Sequence, residues 1–293
     1  MPELPDITVY REALAARTTG AVLRDVRVGS PFVLRSVEPP LSAFTERRVT
    51  GIERLGKRIV LVCEGEMFLV IHLMIAGRLK WVSASKKPPP KAGLACITFD
   101  TGTLVLTEAG TKRRASLTAV AGRAALAAMD RGGLDVMTST DAAMVARLRS
   151  ENHTLKRTLT DPRLFDGIGN AYSDEILHAA RLSPLQLSAN LRDDDALRLV
   201  LAIRSTLAHW IDLFRTEMGS GWPEKVTAFR PEMAVHGRFR QPCPDCAAPV
   251  QRIRYAENET NYCARCQTGG RLLADRAMSR LLKDDWPRSL DEL

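Results

Sequence analysis

No apolar run in the 293-residue chain approaches the roughly 20 residues a helix needs to cross a bilayer; the longest are pieces such as Ile59–Cys63 and Met67–Ile71. A membrane-spanning protein is not expected. The start, Met1-Pro2-Glu3-Leu4-Pro5-Asp6, lacks the positive charge and apolar segment of a signal peptide and carries two carboxylates instead, so the expectation is an intracellular protein. No internal repeat is present, which removes solenoid and propeller architectures. What is there is ordinary: 45% hydrophobic and 26% charged residues exclude a disordered or fibrous chain, and the length allows two or three compact units.

Acidic residues are in deficit. Lysines and arginines number 42 against 34 aspartates and glutamates, a net charge of +8, which favours a polyanionic partner without separating DNA from RNA or anionic lipid. Two stretches hold basic residues and no acid. Met67 to Phe99 contains Arg78, Lys80, Lys86, Lys87 and Lys91, and Ala109 to Met129 contains Lys112, Arg113, Arg114 and Arg123. Either could be a solvated face; two together, on a basic chain, point toward phosphate binding.

Residues 5–16 fit a short helix with Ile7, Tyr10 and Leu14 on one face, stopped by Thr18-Thr19-Gly20. Strands are expected at 22–28, 58–63, 67–73, 94–99 and 103–107, where β-branched or alternating residues are separated by turns such as Glu64-Gly65-Glu66. The stretch 83–93 contains Pro88, Pro89 and Pro90, which cannot donate to a ladder, and reads as a basic loop between strands. From about residue 134 the spacing turns helical. Leu197, Val200, Ile203, Leu207, Trp210, Ile211 and Phe214 form the stripe of a long amphipathic helix between Asp193-Asp194-Asp195 and Gly219. A compact cysteine-bearing unit occupies about 236–270, and 272–283 reads as a short terminal helix.

Six cysteines in an intracellular chain do not suggest a disulfide framework. Cys63 and Cys96 lie in apolar strand patterns and read as small buried hydrophobes. Cys243-Pro-Asp-Cys246 and Cys263-Ala-Arg-Cys266 are different: two Cys-x-x-Cys knuckles separated by sixteen residues match a closed tetrahedral site for one structural Zn2+. Four sulfur ligands leave no open position for a catalytic water, so the metal is expected to hold a fold, here a DNA-contacting hairpin. Arg238, Arg240, Arg252, Arg254, Arg265 and Arg271 surround it against Asp245, Glu257 and Glu259.

Proline after the initiator Met permits removal of Met1, leaving Pro2 with a free secondary amine. An α-amino group titrates near 7.7–8.0 against roughly 10.4 for lysine, so about a tenth or more is unprotonated at neutral pH and ready to attack a sugar C1′. An exposed, inert chain start is the plainer reading of position alone. The amino-terminal motif, the Leu55-Gly56-Lys57-Arg58 turn, Gly167-Ile168-Gly169-Asn170 followed by Tyr172 and Glu175, and the four-cysteine finger occur in one order from Pro2 to Gln267. In this the chain resembles the formamidopyrimidine-DNA glycosylase / endonuclease VIII family.

The resemblance implies an α+β multidomain protein: an N-terminal β-sandwich with a short N-terminal helix (1–130), a helix–two-turns–helix domain (131–230), a four-cysteine zinc finger (231–270), and here a C-terminal helical extension (271–293). It implies a monomeric, DNA-associated bifunctional glycosylase/AP lyase of base excision repair acting on damaged double-stranded DNA. Pro2 would be the Schiff-base nucleophile, Glu3 the acid/base beside it, and Lys57 a contact to phosphate near the lesion. Lys156 and Asn170 would contact the DNA backbone, and Gly219–Arg230, with Trp222, Lys225 and Thr227, would shape lesion choice.

Three positions depart from the formamidopyrimidine branch. Its His-Leu-Gly-Met stretch is His72-Leu73-Met74-Ile75 here, leaving Ile75 or Met74 as the apolar wedge. The loop from Thr107 to Arg114 has no Arg-Phe wedge, although Lys112, Arg113 and Arg114 remain as DNA contacts. The finger's phosphate-gripping arginine falls at Asn258, whose amide keeps a hydrogen bond but not a bidentate charged pairing. Two rivals follow: a non-catalytic DNA-damage-binding protein on the same scaffold, and a zinc-ribbon transcription factor, which leaves the amino-terminal motif unexplained.

Overall fold

The computed structural model describes residues 1–85, 93–109, 113–224, 226, 229–255, 258–273 and 288–292. The expected terminal helix at 272–283, most of the basic loop, and Lys112, Lys225 and Thr227 lie largely or wholly outside the described residues; Leu272 and Leu273 are not helical. Packing divides the chain into two units, residues 1–131 with 210–227, and residues 132–209 with 228–293.

The first unit begins with helix α1 (Leu4–Thr18), capped at Glu3, with Pro5 in the first turn where its missing N–H costs nothing. Eight strands follow: β1 (Leu23–Val28), β2 (Val49–Leu55), β3 (Arg58–Cys63), β4 (Met67–His72), β5 (Gly77–Ser83), β6 (Ala95–Phe99), β7 (Gly102–Glu108) and β8 (Ser116–Ala121). They form two antiparallel four-stranded sheets, in the orders β1-β6-β7-β5 and β2-β3-β4-β8. Leu23, Ile97, Leu104 and Leu79 of one sheet and Ile59, Leu61, Leu69 and Leu117 of the other share one core with Ile7, Tyr10 and Leu14 of α1. Each such side chain contributes roughly 1.5–3 kcal/mol by burial. The opposite face of β3 and β4 is also covered: Val60, Val62, Phe68 and Val70 pack with Leu126 of helix α2 (Arg123–Ala127). Burial on both faces explains why these strands read as continuous apolar runs.

In the second unit a short parallel pair, β9 (Leu134–Asp135) and β10 (Phe165–Asp166), accompanies helices α3 (Asp141–Arg149), α4 (Leu155–Thr160), α5 (Asn170–Ala179) and the part of the long α6 (Asp193–Met218) before Trp210, the rest of which belongs to the first unit. Thr140 and Thr154 cap α3 and α4 through their side-chain oxygens, as the orphan N–H groups of a helix start require. The hairpin β11 (Gln251–Tyr255) and β12 (Asn258–Tyr262), followed by α7 (Ala264–Thr268), completes the cysteine-bearing finger. Val235, Cys243, Ala248, Val250 and Cys263 form its small core. Among the described residues no helix is long and apolar enough to cross a membrane.

Candidate active site and metal centre

The amino terminus is packed into the first unit. Pro2 and Glu3 are buried, Glu3 at 1% exposure. Glu3 caps α1 reciprocally with Asp6: the Glu3 N–H donates to Asp6 Oδ2 at 2.8 Å, and the Glu3 carboxylate accepts from the Asp6 N–H. The other oxygen of Asp6, Oδ1, is buried with no hydrogen-bond partner among the described residues. Burial, opposed by the Glu3 N–H and reinforced by the Glu3 charge, pushes the Asp6 carboxyl up to about 7. Burial also lowers the Met1 amine from its ordinary 8.0, Glu3 and Asp6 act against that shift, and Arg78 and Lys57 act with it. One neighbourhood therefore holds the chain start, two carboxyl groups and two cations.

Each cation is placed by a specific piece of backbone. Lys57 is the second central residue of a two-residue hairpin turn, with Leu55 opposite Arg58; only Gly56 has positive φ, the pattern of a II′ turn. Arg78 lies in β5, whose next residue, Leu79, exchanges hydrogen bonds with the Tyr10 hydroxyl and accepts one from the Trp222 indole N–H at 2.9 Å. Trp222 stacks on Trp81 and meets the Tyr10 ring at a 45° tilt, while Arg17 lies over its ring and donates to the carbonyls of Ser220 and Gly221. Trp222 thus anchors the start of the segment after α6 to β5. A cavity of about 350 Å³ beside it is lined by Val9, Phe214, Met218 and Val226, with Glu217 and Glu224.

The β4–β5 connection is a tight turn. The Gly77 N–H donates to the Leu73 carbonyl at 2.8 Å, and a Cβ on Gly77 would stand 2.3 Å from that oxygen. Met74 takes positive φ (51°), and its N–H donates to His72 Nδ1 at 3.0 Å. Accepting at Nδ1 fits a neutral imidazole, and burial with Arg58 and Lys57 nearby lowers the His72 pKa to about 4. Ile75, at 55% exposure, is the apolar side chain this turn offers to solvent.

In the finger the four cysteine sulfurs make a four-membered donor set, and His178 and Asp245 also come within ligand reach of Cys266. The four sulfurs all lie within 4.8 Å of one another, with Cys243–Cys266 at 3.9 Å and Cys246–Cys263 at 3.4 Å. A metal bound at about 2.3 Å to four tetrahedral sulfurs requires an edge of about 3.8 Å, so Cys243, Cys246, Cys263 and Cys266 fit a metal ion. Burial pushes the Cys263 thiol up to about 11 and raises Cys266, with neighbouring thiols adding to the rise, so four thiolates here need a cation among them. His178 of α5 brings Nε2 to 3.3 Å from Cys243 Sγ.

Two buried carboxylates on α5 tie the finger to the helices of its unit. Glu175 accepts the backbone N–H groups of Ala234, Val235 and His236 at 2.7–2.9 Å. Asp174 bridges Lys156 Nζ, at 2.5 Å, and His236 Nδ1, at 2.8 Å. Lys156 also donates to the Asn170 carbonyl, and Asn170 Nδ2 donates to the Glu259 carbonyl of β12.

Comparison with known proteins agrees with this arrangement along the chain. Residues 1–116 match the family model of the formamidopyrimidine-DNA glycosylase N-terminal domain, 135–219 that of its H2TH domain, and 240–269 that of the zinc finger found in FPG and IleRS. The formamidopyrimidine-DNA glycosylase of Heliobacterium modesticaldum is 32% identical over 282 residues, spanning 91% of this chain and 100% of that protein. The chain belongs to the formamidopyrimidine-DNA glycosylase / endonuclease VIII family. An uncharacterized formamidopyrimidine-DNA glycosylase-like protein of Mycobacterium tuberculosis is 40% identical over 150 residues, 51% of this chain and 91% of that one. The MutM (Fpg) crystal structure from Thermus thermophilus superposes with a TM-score of 0.75 at 29% identity, covering 91% of this chain and 98% of that one. The Lactococcus lactis Fpg bound to abasic-site DNA shares the fold, with a TM-score of 0.80 at 22% identity over 91% and 99% of the two chains.

Within this family frame the expected site residues separate into groups. Pro2, Glu3 and Lys57 come together in the first unit, with Arg78 and Asp6, which the sequence reading did not single out. Of the two expected wedge candidates, Met74 takes a positive φ that favours glycine, and Ile75 is the exposed one. Arg113 and Arg114 are exposed, and the Glu108 carboxylate accepts the Arg114 and Ala115 N–H groups, fixing the chain beside them. Lys156 holds Asp174 with a side chain 12% exposed. Asn258 opens β12 opposite Tyr255, at the end of the finger hairpin. Of the finger arginines, Arg252 and Arg254 share Glu259, and Arg252 stacks on Phe239 at 4.0 Å.

Proposed function

We propose that the protein is a bifunctional DNA glycosylase/AP lyase that removes an oxidised base from duplex DNA. The damaged nucleotide is extruded from the stack, and the Pro2 amine, exposed by removal of Met1, attacks C1′. The base leaves with the electron pair of the glycosidic bond, and Glu3 protonates O4′ as the sugar ring opens to the iminium. That cation acidifies the C2′ proton; its removal expels the 3′-phosphate by β-elimination and nicks the strand. Lys57 and Arg78 offset phosphate charge around the sugar. Ile75 fills the space left by the extruded nucleotide, while Asn170, Arg113, Arg114, Lys112, Lys156 and Asn258 serve the DNA backbone. Zinc in the four-cysteine site holds the finger hairpin in shape.

The observation that carries this reading is the buried Pro2-Glu3 start, set where Glu3, Asp6, Arg78 and Lys57 all act on the amine of Met1 directly before it. A deprotonated amine at neutral pH is the requirement for iminium chemistry. Borohydride added to mature protein and abasic-site duplex is expected to trap a covalent complex, and Pro2→Ala to trap none. Trapping by the variant at the wild-type rate would contradict the mechanism.

A second reading, a DNA-damage-binding protein without catalysis, is favoured by Asn258 standing where the family has an arginine. It gives lesion binding with no trapped complex from zinc-loaded protein lacking Met1.

A further inference from the structure

The orphaned oxygen of Asp6 is the feature the proposed chemistry leaves unused. A buried carboxylate normally fills its acceptor positions, because an unpaired buried polar atom costs about 1–3 kcal/mol. Asp6 is 3% exposed and uses Oδ2 to cap α1, while Oδ1 has no hydrogen-bond partner among the described residues. The Pro2 nitrogen is one residue before the Glu3 nitrogen that Oδ2 binds, so covalent geometry keeps it within about 6.5 Å of that oxygen. Oδ1 lies on the same carboxyl group, about 2.2 Å from Oδ2, so one or two waters span the gap to it. The charged groups that act on Asp6 are Glu3, the terminal amine and Arg78, and Tyr10 feels its charge from α1.

We propose that Asp6 is the proton acceptor for the nucleophile: the Pro2 ammonium gives its proton to the free carboxylate oxygen, directly or through one or two waters, and attacks as the neutral amine. The proposal rests on the reading of Pro2 as nucleophile. The step balances, since ammonium and carboxylate become amine and carboxylic acid with no further reactant. Glu3 stays free to donate to O4′, so uptake and delivery of protons fall to different carboxyl groups. Burial supports the exchange at the acceptor: it raises Asp6 to about 7, near the roughly 7.7–8.0 of an ordinary α-amino group, so the proton moves between groups of similar affinity.

The test is the rate of borohydride-trapped complex formation on abasic-site duplex under single-turnover conditions from pH 5 to 9, for wild type, Asp6→Asn and Asp6→Glu, all lacking Met1. Asparagine keeps an acceptor for the Glu3 N–H but cannot take a proton. The expected result is a wild-type rate that falls below about pH 7, at least a tenfold loss for Asp6→Asn near pH 7.5 with that limb replaced by titration of the amine alone, and partial recovery in Asp6→Glu. A parallel infrared titration should show a protonated-carboxyl band near neutral pH in wild type and not in Asp6→Asn. A purely structural cap would change thermal stability without changing the shape of the pH profile. Asp6→Asn with the wild-type rate and profile would overturn the proposal and leave the Pro2 mechanism standing; absence of any trapped complex from wild type would overturn both.

Discussion

Asp6 and Gly77 show how much a single residue decides here. A carboxyl raised from 3.8 to about 7 binds its proton more tightly in the folded than in the unfolded chain. Its contribution is therefore intact below pH 3.8 and is lost as pH rises toward 7, by on the order of 4 kcal/mol at about 1.4 kcal/mol per unit. Asp6→Asn has nothing to ionise, so its stability relative to wild type should climb between pH 4 and 7 and level off above; urea titrations at pH 4, 5.5 and 8 read this directly, and a pH-independent difference would refute the buried acid. Gly77→Ala should cost about 2 kcal/mol or more, because the new methyl meets the Leu73 carbonyl. Gly51→Ala, with nothing within 4 Å, is the matched control and should be near neutral by the same measurement. At this scale the sequence was legible where chemistry is written in spacing: Pro2-Glu3 and the four cysteines are adjacent or regularly spaced. Arg78, Asp6 and the Lys156–Asp174–His236 bridge were not, because their partners lie on other elements or depend on burial that local pattern does not report.

Among the elements, α1, β3, β4 and α6 lie within a few residues of where periodicity puts them, since each carries its own apolar stripe or run. β2, β5 and β8 were missed, and all three are edge strands. An edge strand has one ladder partner and a half-exposed face, so Thr50, Glu53 and Arg54 in β2 or Arg78 and Lys80 in β5 dilute the alternation that marks an inner strand. Glu175 was visible as a motif residue, but its work is visible only in the fold: it ends three N–H groups of the segment leading into the finger. Glu175→Ala should leave those donors buried and lower the stability of the second unit by about 3 kcal/mol or more. Amide hydrogen exchange should show the loss concentrated at Ala234–His236 and the finger; unchanged protection there would contradict the assignment.

For the whole molecule, the proposed function, with an excess of 8 positive charges and exposed Arg113 and Arg114, predicts phosphate contacts as the main source of affinity. Each contact releases a counterion, so a protein covering about six phosphates loses roughly 10³-fold in affinity between 50 and 200 mM salt. Fluorescence anisotropy with a non-cleavable abasic duplex should show that slope, and Arg113→Ala with Arg114→Ala should reduce it by about two; a salt-independent affinity would remove the electrostatic account. Chelation should release one metal ion per chain and abolish protection of β11 and β12 while leaving the first unit folded, since the four sulfurs serve only the finger's core. Everything then converges on the terminal amine. The most direct measurement is peptide mapping by mass spectrometry of the complex trapped with borohydride on abasic-site duplex. The account predicts the sugar remnant on the amino-terminal peptide, attached at the Pro2 nitrogen after loss of Met1; a remnant on Lys57 or any other lysine, or no covalent complex at all, would contradict it.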